Sequence, residues 1–436
     1  MTFDRFELPS PLVKVLERRG ISMPLPIQEA VLPDALAGRD VCGKAPTGSG
    51  KTLAFALPLA AKLERGRPGR PRGLVLAPTR ELASQIAAEL TSLARTRGLR
   101  VHAFYGGVGF GDQLRALRRG VDVAVACPGR LTDLVRSKHV DLGDADMVVV
   151  DEADRMADMG FLPDVRRLLD ATSPQRQTLL FSATLDGAVD VLVRHYQRNP
   201  VRHEVESDES EVARMVHRVH HVSPADRPAR CAEIVGSEGT SVVFVRTRHG
   251  ADRLALQLER QGVSAAAIHG DRSQAQRDRA LAAFRSGKVR ALVATDVAAR
   301  GIHVNAVDCV VHYDPPSDPK DYVHRSGRTA RAGASGTVVT LVTPEQRRAV
   351  QALWQSLDIS PQLVGEAPSP EVQVGAVDKT SQHRRSDLPA RGRPAPPHRR
   401  RSPGGKGPSA RVGRGSTDRR KGTGKSDRAG SRNGGR

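Results

Sequence analysis

The sequence predicts an α/β protein with two domains, each built on a parallel sheet, followed by a disordered basic tail. Short runs rich in Val, Leu and Ala recur between helix-like stretches in both halves of the chain, as buried parallel strands do. No aromatic residue follows Trp354, and Gly, Pro, Ser and Arg dominate from about Pro361. Such a segment cannot bury enough apolar surface to offset the entropy of ordering its chain. A length of 436 residues suits this division.

The domain boundary is expected where the alternation of strands and helices lapses. Residues 204–211 form a polar, acidic stretch, after which the same pattern resumes. We therefore predict a first domain over residues 1–205, a linker over 206–216, a second domain over 217–360 and a tail over 361–436.

The charge of the chain indicates a polyanionic partner, either nucleic acid or an acidic membrane surface. The formal net charge is +20, and residues 379–436 contain 18 Lys or Arg against 3 Asp or Glu. We expect the tail to hold nucleic acid by neutralising phosphates, without base stacking because it has no aromatic residue. The alternative is a tail that only keeps the protein soluble.

Several classes of protein are disfavoured by the composition. No apolar segment has the length of a secretory signal or a membrane span. The four cysteines are far apart, and the 14 histidines show no metal-binding spacing. We expect a cytoplasmic protein with reduced cysteines and no structural metal. It is expected to be a monomer, since no oligomerisation element is visible.

The first predicted strand, over residues 40–42, leads into a loop of small residues and then into a helical pattern over 53–63. Backbone N–H groups of such a loop, together with the helix N-terminus, can surround nucleotide phosphates. Lys51 is expected to reach the β and γ phosphates, and Thr52 to supply a hydroxyl to Mg²⁺. The alternative is a Gly-rich turn that only caps a helix. The other loop residues expected to bind ATP are Ala45, Thr47, Gly48, Ser49 and Gly50.

Further strands are predicted at 73–77, 121–126, 147–150 and 178–181, each followed at once by small, polar or charged residues. In an open parallel sheet these clusters meet at the carboxyl edge, where ligands bind. Asp151 and Glu152 form one such cluster. We assign Asp151 to Mg²⁺ and Glu152 to the attacking water. The alternative is an acidic helix start, since carboxylates favour the first turn of a helix.

The second half of the chain shows the same pattern. Strand-like runs are predicted at 241–245, 265–268, 290–294, 307–312 and 337–342, with helical stretches between them.

Four short motifs, in this order, are similar to those of the DEAD-box RNA helicase family. They are the loop from Ala45, the Asp-Glu-Ala-Asp run at 151–154, the Ser-Ala-Thr run at 182–184 and the His-Arg-Ser-Gly-Arg-Thr-Ala-Arg run at 324–331. The resemblance covers roughly residues 3–354. It implies two tandem RecA-like domains joined by a flexible linker, with ATP, Mg²⁺ and RNA bound in the cleft between them.

The resemblance also implies roles for single residues. Gln28 would hydrogen-bond the adenine edge, near the upstream aromatic Phe3. Arg328 and Arg331 match the arginine fingers, which complete the ATP site when the domains close. Asp296 is implied at the nucleotide. The residues implied to couple the ATP site to the RNA site are Ser182, Thr184, Asp154 and His324. RNA contacts fall on Thr79, Arg80, Glu81, Gly106, Gly107, Pro128, Gly129, Arg130, Thr247, Gln274, Arg277 and Thr295.

Four positions depart from the family pattern. Ile21 replaces an aromatic residue and Leu25 a threonine, which implies weaker packing on adenine. Cys127 replaces a threonine and removes a hydroxyl donor from an RNA-binding loop. His303 replaces an aspartate, which implies coupling to ATP that is looser or that shifts with pH.

We expect an ATP-dependent RNA helicase that closes on ATP and RNA together, separates a short duplex and reopens after hydrolysis. Phosphate and 2′-hydroxyl contacts would give the core low sequence specificity. Two alternatives stay open. One is an ATP-gated RNA clamp or annealing chaperone with weak hydrolysis, and the other is a DNA helicase.

Overall fold

The computed structural model describes residues 2–46, 48–185, 187–205, 215–299, 307–330 and 336–364. These residues form two seven-stranded sheets, and every strand pair within them is parallel. Both sheets belong to one compact unit. This architecture of two tandem RecA-like domains confirms the predicted fold class.

The first sheet has the order β3-β4-β2-β5-β6-β1-β7, and helices alternate with its strands along the chain. Single-turn 3₁₀ helices lie at Phe3–Phe6 and Arg95–Arg97. The strands and helices are α1 Ser10–Arg18, α2 Pro26–Leu36, β1 Val41–Lys44, α3 Lys51–Lys62, β2 Gly73–Leu76, α4 Arg80–Ala94, β3 Val101–Phe104, α5 Phe110–Arg119, β4 Val123–Ala126, α6 Pro128–Arg136, β5 Met147–Val150, α7 Ala153–Asp158, α8 Leu162–Asp170, β6 Gln177–Ser182, α9 Gly187–Tyr196 and β7 Val201–Glu204.

The second sheet has the order β10-β11-β9-β12-β13-β8-β14. A 3₁₀ turn at Pro344–Gln346 precedes its last helix. The strands and helices are β8 Val216–His221, α10 Arg227–Glu238, β9 Ser241–Phe244, α11 Arg248–Arg260, β10 Ala265–Ile268, α12 Gln274–Arg285, β11 Ala291–Ala294, α13 Asp296–Ala299, β12 Cys309–His312, α14 Pro319–Ser326, β13 Thr337–Val342, α15 Arg347–Ser356 and β14 Gln362–Leu363.

Helices cover both faces of each sheet, which explains why the central strands are apolar throughout. Leu74 and Leu76 of β2 pack into one hydrophobic cluster, and Val75 between them packs into the other. Successive side chains of a strand point to opposite faces, so a strand buried on both faces needs an unbroken apolar run. Every strand predicted from such a run is present.

The strands without such a run lie at or near the sheet edges, and the sequence did not predict them. β3 and β7 are the two edges of the first sheet, and β7 alternates half-buried with exposed residues. In the second sheet, β8 begins at Val216, inside the expected linker, and β14 lies beyond residue 360, where the tail was expected to begin. Both belong to the second domain because β14 pairs with β8. No helix among the described residues is long and apolar enough to cross a membrane.

Candidate functional site

The loop between β1 and α3 has the backbone of a phosphate-binding loop. Gly48 and Gly50 have φ angles of 95° and 90°, a region that side chains with a Cβ rarely adopt. A Cβ at Gly50 would also overlap the Gln28 amide and lie 2.6 Å from a methyl group of Leu25. Gly50 therefore lets the chain turn tightly into α3, whose first residue is Lys51. Thr47 lies outside the described residues.

Lys51 lies under the loop and is only 7% exposed. Its Nζ donates to the carbonyl oxygens of Ala45 at 2.7 Å and Pro46 at 3.0 Å, and Ser49 Oγ donates to the same Pro46 oxygen at 2.8 Å. An ammonium has three N–H donors, so one stays available to a phosphate oxygen. Thr52 follows on the first turn of α3 and is partly exposed.

Gln28, the residue predicted to bind adenine, is hydrogen-bonded to the phosphate loop. Its Oε1 accepts from the Leu25 N–H at 2.9 Å, and its Nε2 donates to the Gly50 carbonyl at 2.9 Å. One lone pair and one N–H of the amide remain, which is the pairing that an adenine edge requires. Phe3 is only 2% exposed and its ring lies 6.1 Å from that of Phe6, so it packs in the first-domain core. Its contact with adenine stays a prediction.

Asp151 and Glu152 follow β5 and are both buried. Burial raises the pKa of Asp151 to about 7, although the positive charge of Lys51 and a 3.0 Å hydrogen bond from the Glu152 N–H both act to lower it. Glu152 has a φ of 53°, and its Oε2 accepts from Arg155 Nη1 at 2.9 Å in a buried ion pair. Arg155 therefore positions the carboxylate predicted to act on water.

The residues present fit a magnesium ion that is bound partly by a nucleotide. Thr52 and Asp151 offer hydroxyl and carboxylate oxygens, the hard ligands that Mg²⁺ prefers. No group of three or more His, Cys, Asp or Glu among the described residues could hold a metal by itself. Mg²⁺ in nucleotide sites needs no such group, because phosphates and waters complete its shell.

The end of β6 joins the phosphate loop to the acidic run. The Ser182 carbonyl accepts from the Ala45 N–H at 3.0 Å, and Ser182 Oγ accepts from the Asp154 N–H at 3.2 Å. Ser182 is fully buried, and Thr184 two residues later is partly exposed. The carboxyl ends of β1, β5 and β6 therefore converge as predicted.

The second domain brings His324 to this edge. His324 lies at the end of α14, within electrostatic reach of Asp154 and Arg155. Burial lowers the pKa of His324 to about 4, and the charge of Arg155 acts in the same direction. The imidazole is therefore neutral near pH 7. Arg328 is only 4% exposed in the loop after α14, and Arg331 lies outside the described residues, as does His303.

Asp296, predicted at the nucleotide, pairs with Arg325, and its contact with the nucleotide stays a prediction. Arg325 donates to both of its carboxylate oxygens, from Nε at 2.6 Å and from Nη2 at 2.8 Å, and its Nη1 donates to the Asp314 carbonyl at 2.7 Å. A carboxylate held by two parallel hydrogen bonds is a strong, directional contact. Asp296 thus fastens α13 to α14 through Arg325, a residue of the 324–331 motif for which no role was predicted.

The RNA residues predicted in the first domain lie at the ends of β2, β3 and β4. Thr79 caps α4, its Oγ1 accepting from the Leu82 N–H at 3.3 Å. Gly106 and Gly107 follow β3, and a Cβ at Gly107 would overlap the Arg80 guanidinium. The three remaining residues begin α6, which Cys127 precedes: Pro128, Gly129 and Arg130. Arg80 lies against Gly107, and Arg130 donates to the Val108 carbonyl of the same loop, so these strand ends meet. Thr79 and Pro128 are themselves buried.

Two of the predicted RNA residues of the second domain are in contact with the first domain. Arg277 Nη2 lies 2.9 Å from Glu81 Oε1, and Gln274 Nε2 donates to the same oxygen at 3.2 Å. All three side chains are buried in this interdomain contact. The RNA contacts implied for them stay predictions. The sequence could not reveal this pairing, because Glu81 and Arg277 are far apart in the chain. A second interdomain ion pair joins Lys320 to Asp158 at 2.8 Å.

The other two predicted RNA residues of this domain have local roles. Thr247 caps α11, its Oγ1 accepting from the Gly250 N–H at 3.0 Å. Thr295 is 8% exposed, and its carbonyl accepts from Ala298 and Ala299 at the start of α13. Their contacts with RNA stay predictions.

Comparison with known proteins covers both sheets. The model of the DEAD/DEAH box helicase family matches residues 25–191, and that of the helicase conserved C-terminal domain matches residues 226–333. The chain is 40% identical to DEAD-box ATP-dependent RNA helicase 30 of Arabidopsis thaliana over 83% of its length, and 38% identical to DEAD-box ATP-dependent RNA helicase CshA of Bacillus subtilis over 82%. The match spans 63% of the Arabidopsis protein and 72% of the Bacillus protein.

A solved structure is similar across the same region. Saccharomyces cerevisiae Dbp5 bound to RNA and ADP BeF3 is 30% identical, with a TM-score of 0.74 over 83% of this chain and 95% of that one. Family models, curated relatives and the solved structure agree on both domains. The chain therefore belongs to the DEAD-box ATP-dependent RNA helicase family.

Proposed function

We propose that the protein is an ATP-dependent RNA helicase that locally unwinds short duplexes or remodels RNA–protein complexes. The observation that carries the proposal is the convergence of three parts on one edge: the phosphate loop, the buried Asp151–Glu152 pair and His324 from the second domain. A site assembled from two domains is complete only when they close, which couples nucleotide chemistry to the position of the domains.

The residues of this chain divide the work of hydrolysis. Lys51 binds the phosphates, and Glu152, oriented by Arg155, positions the attacking water and accepts its proton. Arg328 and Arg331 stabilise the negative charge that develops on the transferred phosphoryl group. Mg²⁺, held by Thr52 and Asp151, would neutralise charge on the phosphate oxygens.

The RNA partner follows from the small, hydroxyl and basic residues along the first domain. Arg80 and Arg130 suit phosphate oxygens, and Thr79 suits a phosphate or a 2′-hydroxyl. Such contacts position a strand without reading its bases. Dbp5, the structural relative, carries RNA and ADP BeF3 together, which supports a shared site.

An ATP-gated RNA clamp is the second candidate, and one observation favours it. Glu81 and Arg277 form a buried interdomain ion pair, and a stable closed state would keep RNA bound while hydrolysis is slow. The two candidates differ in turnover and in strand separation.

The test compares wild type with Glu152→Gln, using steady-state ATPase with and without single-stranded RNA or DNA and unwinding of a short RNA duplex. We expect RNA to stimulate hydrolysis and both activities to be lost in the variant. The control is Glu233→Gln, the same change in an exposed residue of α10, which should leave both unchanged. ATP-dependent RNA binding without unwinding would favour the clamp, and equal stimulation by DNA would contradict RNA specificity.

A further inference from the structure

Phe110, at the start of α5, is an exposed aromatic residue beside the predicted RNA surface. Its side chain is 41% exposed, and among the large apolar side chains strongly exposed in the described residues it is the one aromatic ring. Only about 3% of the residues are aromatic. Fully buried phenylalanines of the first domain include Phe3, Phe55 and Phe104. Folding therefore leaves this ring in water while burying others.

A predicted RNA residue covers one face of the ring. The Arg130 guanidinium carbon lies 4.0 Å from the ring centroid, and its Nη2 donates to the Val108 carbonyl at 3.0 Å. Its Nη1 is buried and has no hydrogen-bond partner among the described residues. Burial of this nitrogen strengthens the attraction between the guanidinium and the ring and holds the ring plane against it. The exposed area of Phe110 therefore lies on the opposite face and the rim.

A second guanidinium, from the first residue of α4, lies against the same loop. Arg80 packs against Gly107, three residues before Phe110, and the positive charges of Arg80 and Arg130 are close enough to act on one another. Two cations thus lie against the loop that leads to this exposed aromatic ring. This combination is how proteins hold single-stranded nucleic acid, with the backbone on the cations and a base on the ring.

We propose that Phe110 is a stacking platform for one unpaired base of the RNA strand that Arg80 and Arg130 hold by its phosphates. The inference rests on the proposed RNA-binding function and adds to it a contact with a base. Stacking tolerates any base, because each has a π face, so the platform adds affinity without sequence specificity. It favours an unpaired strand over a duplex, whose bases are already stacked on one another.

The first test measures binding of the full chain to a short single-stranded RNA, with a non-hydrolysable ATP analogue and Mg²⁺, by fluorescence anisotropy. Phe110→Ala should weaken binding by about 5- to 150-fold, the range found when one stacking aromatic residue is replaced by alanine. Phe110→Tyr should restore it. Val191→Ala removes a similarly exposed apolar side chain on α9, away from this loop, and should have no effect.

The second test removes the base instead of the ring. A series of RNAs carries one abasic site, placed at a different position in each RNA. At one position the missing base should lower the affinity of wild type, while Phe110→Ala should bind that RNA as well as it binds intact RNA. Equal affinity of Phe110→Ala and wild type for intact RNA would overturn the proposal, and would leave the exposed ring to a protein partner. Loss of affinity in Phe110→Ala with no such abasic position would also overturn it.

The salt dependence separates stacking from support of Arg130. If Phe110 only holds Arg130 in place, Phe110→Ala should make the slope of log affinity against log salt shallower by about 0.7, as removal of one phosphate contact does. Stacking predicts an unchanged slope and a uniform loss of affinity, with Arg80→Gln as the control that flattens the slope. Absence of RNA binding by wild type would instead defeat the proposed function itself.

Discussion

Arg325 shows how a single side chain can organise the second domain. It is 6% exposed, donates to both oxygens of Asp296 and to the Asp314 carbonyl, and its guanidinium carbon lies 5.2 Å from the Phe244 ring centroid. A planar guanidinium can make these contacts together, whereas an ammonium is a point charge with a different donor geometry. The arrangement therefore depends on arginine and not only on positive charge.

Arg325→Lys should lower the free energy of unfolding of the second domain by about 2 kcal/mol, the usual contribution of one hydrogen bond to a charged group. Urea unfolding followed by the fluorescence of Trp354, the one tryptophan of the chain, measures it. Arg230→Lys is the control, because Arg230 pairs with Glu233 on the exposed face of α10. Equal stability of the two variants would contradict the role of Arg325.

His312 makes stability depend on pH. It is fully buried in β12, its ring lies 4.8 Å from that of Tyr322, and neither ring nitrogen has a hydrogen-bond partner among the described residues. Burial lowers its pKa well below the usual value, and the nearby Arg325 and His217 act in the same direction. The folded state thus keeps His312 neutral, while the unfolded chain takes up a proton below about pH 6.5.

The folded pKa is depressed, so this contribution to stability is full above pH 6.5 and is lost as the pH falls below it. At pH 5.5 the cost is about 1.4 kcal/mol. The unfolding free energy of His312→Leu minus that of wild type should therefore be about 1.4 kcal/mol larger at pH 5.5 than at pH 7.5. Urea unfolding of both proteins at the two pH values measures this difference. His217 and the other histidines are present in both proteins and cancel. Parallel pH profiles would show that His312 is protonated when folded.

At the scale of elements, α4 and α12 meet across the domain interface. Glu81 lies on the first turn of α4, Gln274 and Arg277 lie on the first turn of α12, and the Arg277–Glu81 pair is buried. Burial also lowers the pKa of Arg277, but the guanidinium stays charged at any working pH. Removal of the carboxylate charge would therefore leave a buried cation without its counter-ion.

Glu81→Gln should weaken closure and reduce RNA-stimulated ATPase at low RNA concentration by about 30-fold or more. The reason is that truncating one partner of a buried charge pair costs about 2–5 kcal/mol. Glu89→Gln makes the same change further along α4, where Glu89 pairs with Arg19 at the surface, and should leave the activity unchanged. Full activity in Glu81→Gln would show that closure does not use this contact.

The elements that the sequence predicted share a physical feature. Strands buried on both faces, such as β2 and β5, carry unbroken apolar runs and were found from the sequence alone. Edge strands have one side open to water, so β7 mixes Arg, His and Glu with Val, and β14 has only two residues. Their place depends on partner strands, which one sequence does not show.

The residues of the site also divide into those that the sequence predicts and those that it does not. Lys51, Asp151 and Ser182 each follow a predictable strand, so their convergence follows from the parallel order. Ion pairs between distant segments, such as Arg277 with Glu81 and Arg325 with Asp296, depend on three-dimensional packing. Neither spacing nor composition indicates them.

For the whole molecule, the distribution of charge separates two ways of holding RNA. Residues 379–436 carry 18 of the 68 basic residues but only 3 of the 48 acidic ones, so most of the +20 net charge belongs to them. In the described residues, by contrast, many arginines are paired with carboxylates, as Arg72 is with Asp146. Long-range attraction of RNA should therefore come from the tail, and the oriented contacts from the two domains.

A chain ending at residue 364 keeps β14 and tests this division. Each phosphate of single-stranded RNA that is no longer neutralised should make the slope of log affinity against log salt shallower by about 0.7, so five such phosphates change it by about 3.5. RNA affinity at low salt should fall, while ATPase at saturating RNA stays the same, because the catalytic residues all precede residue 364. A full-length variant with Gln in place of every Lys and Arg beyond 378 should behave like the shortened chain. If both match wild type in slope, the tail does not bind RNA and its charge serves solubility.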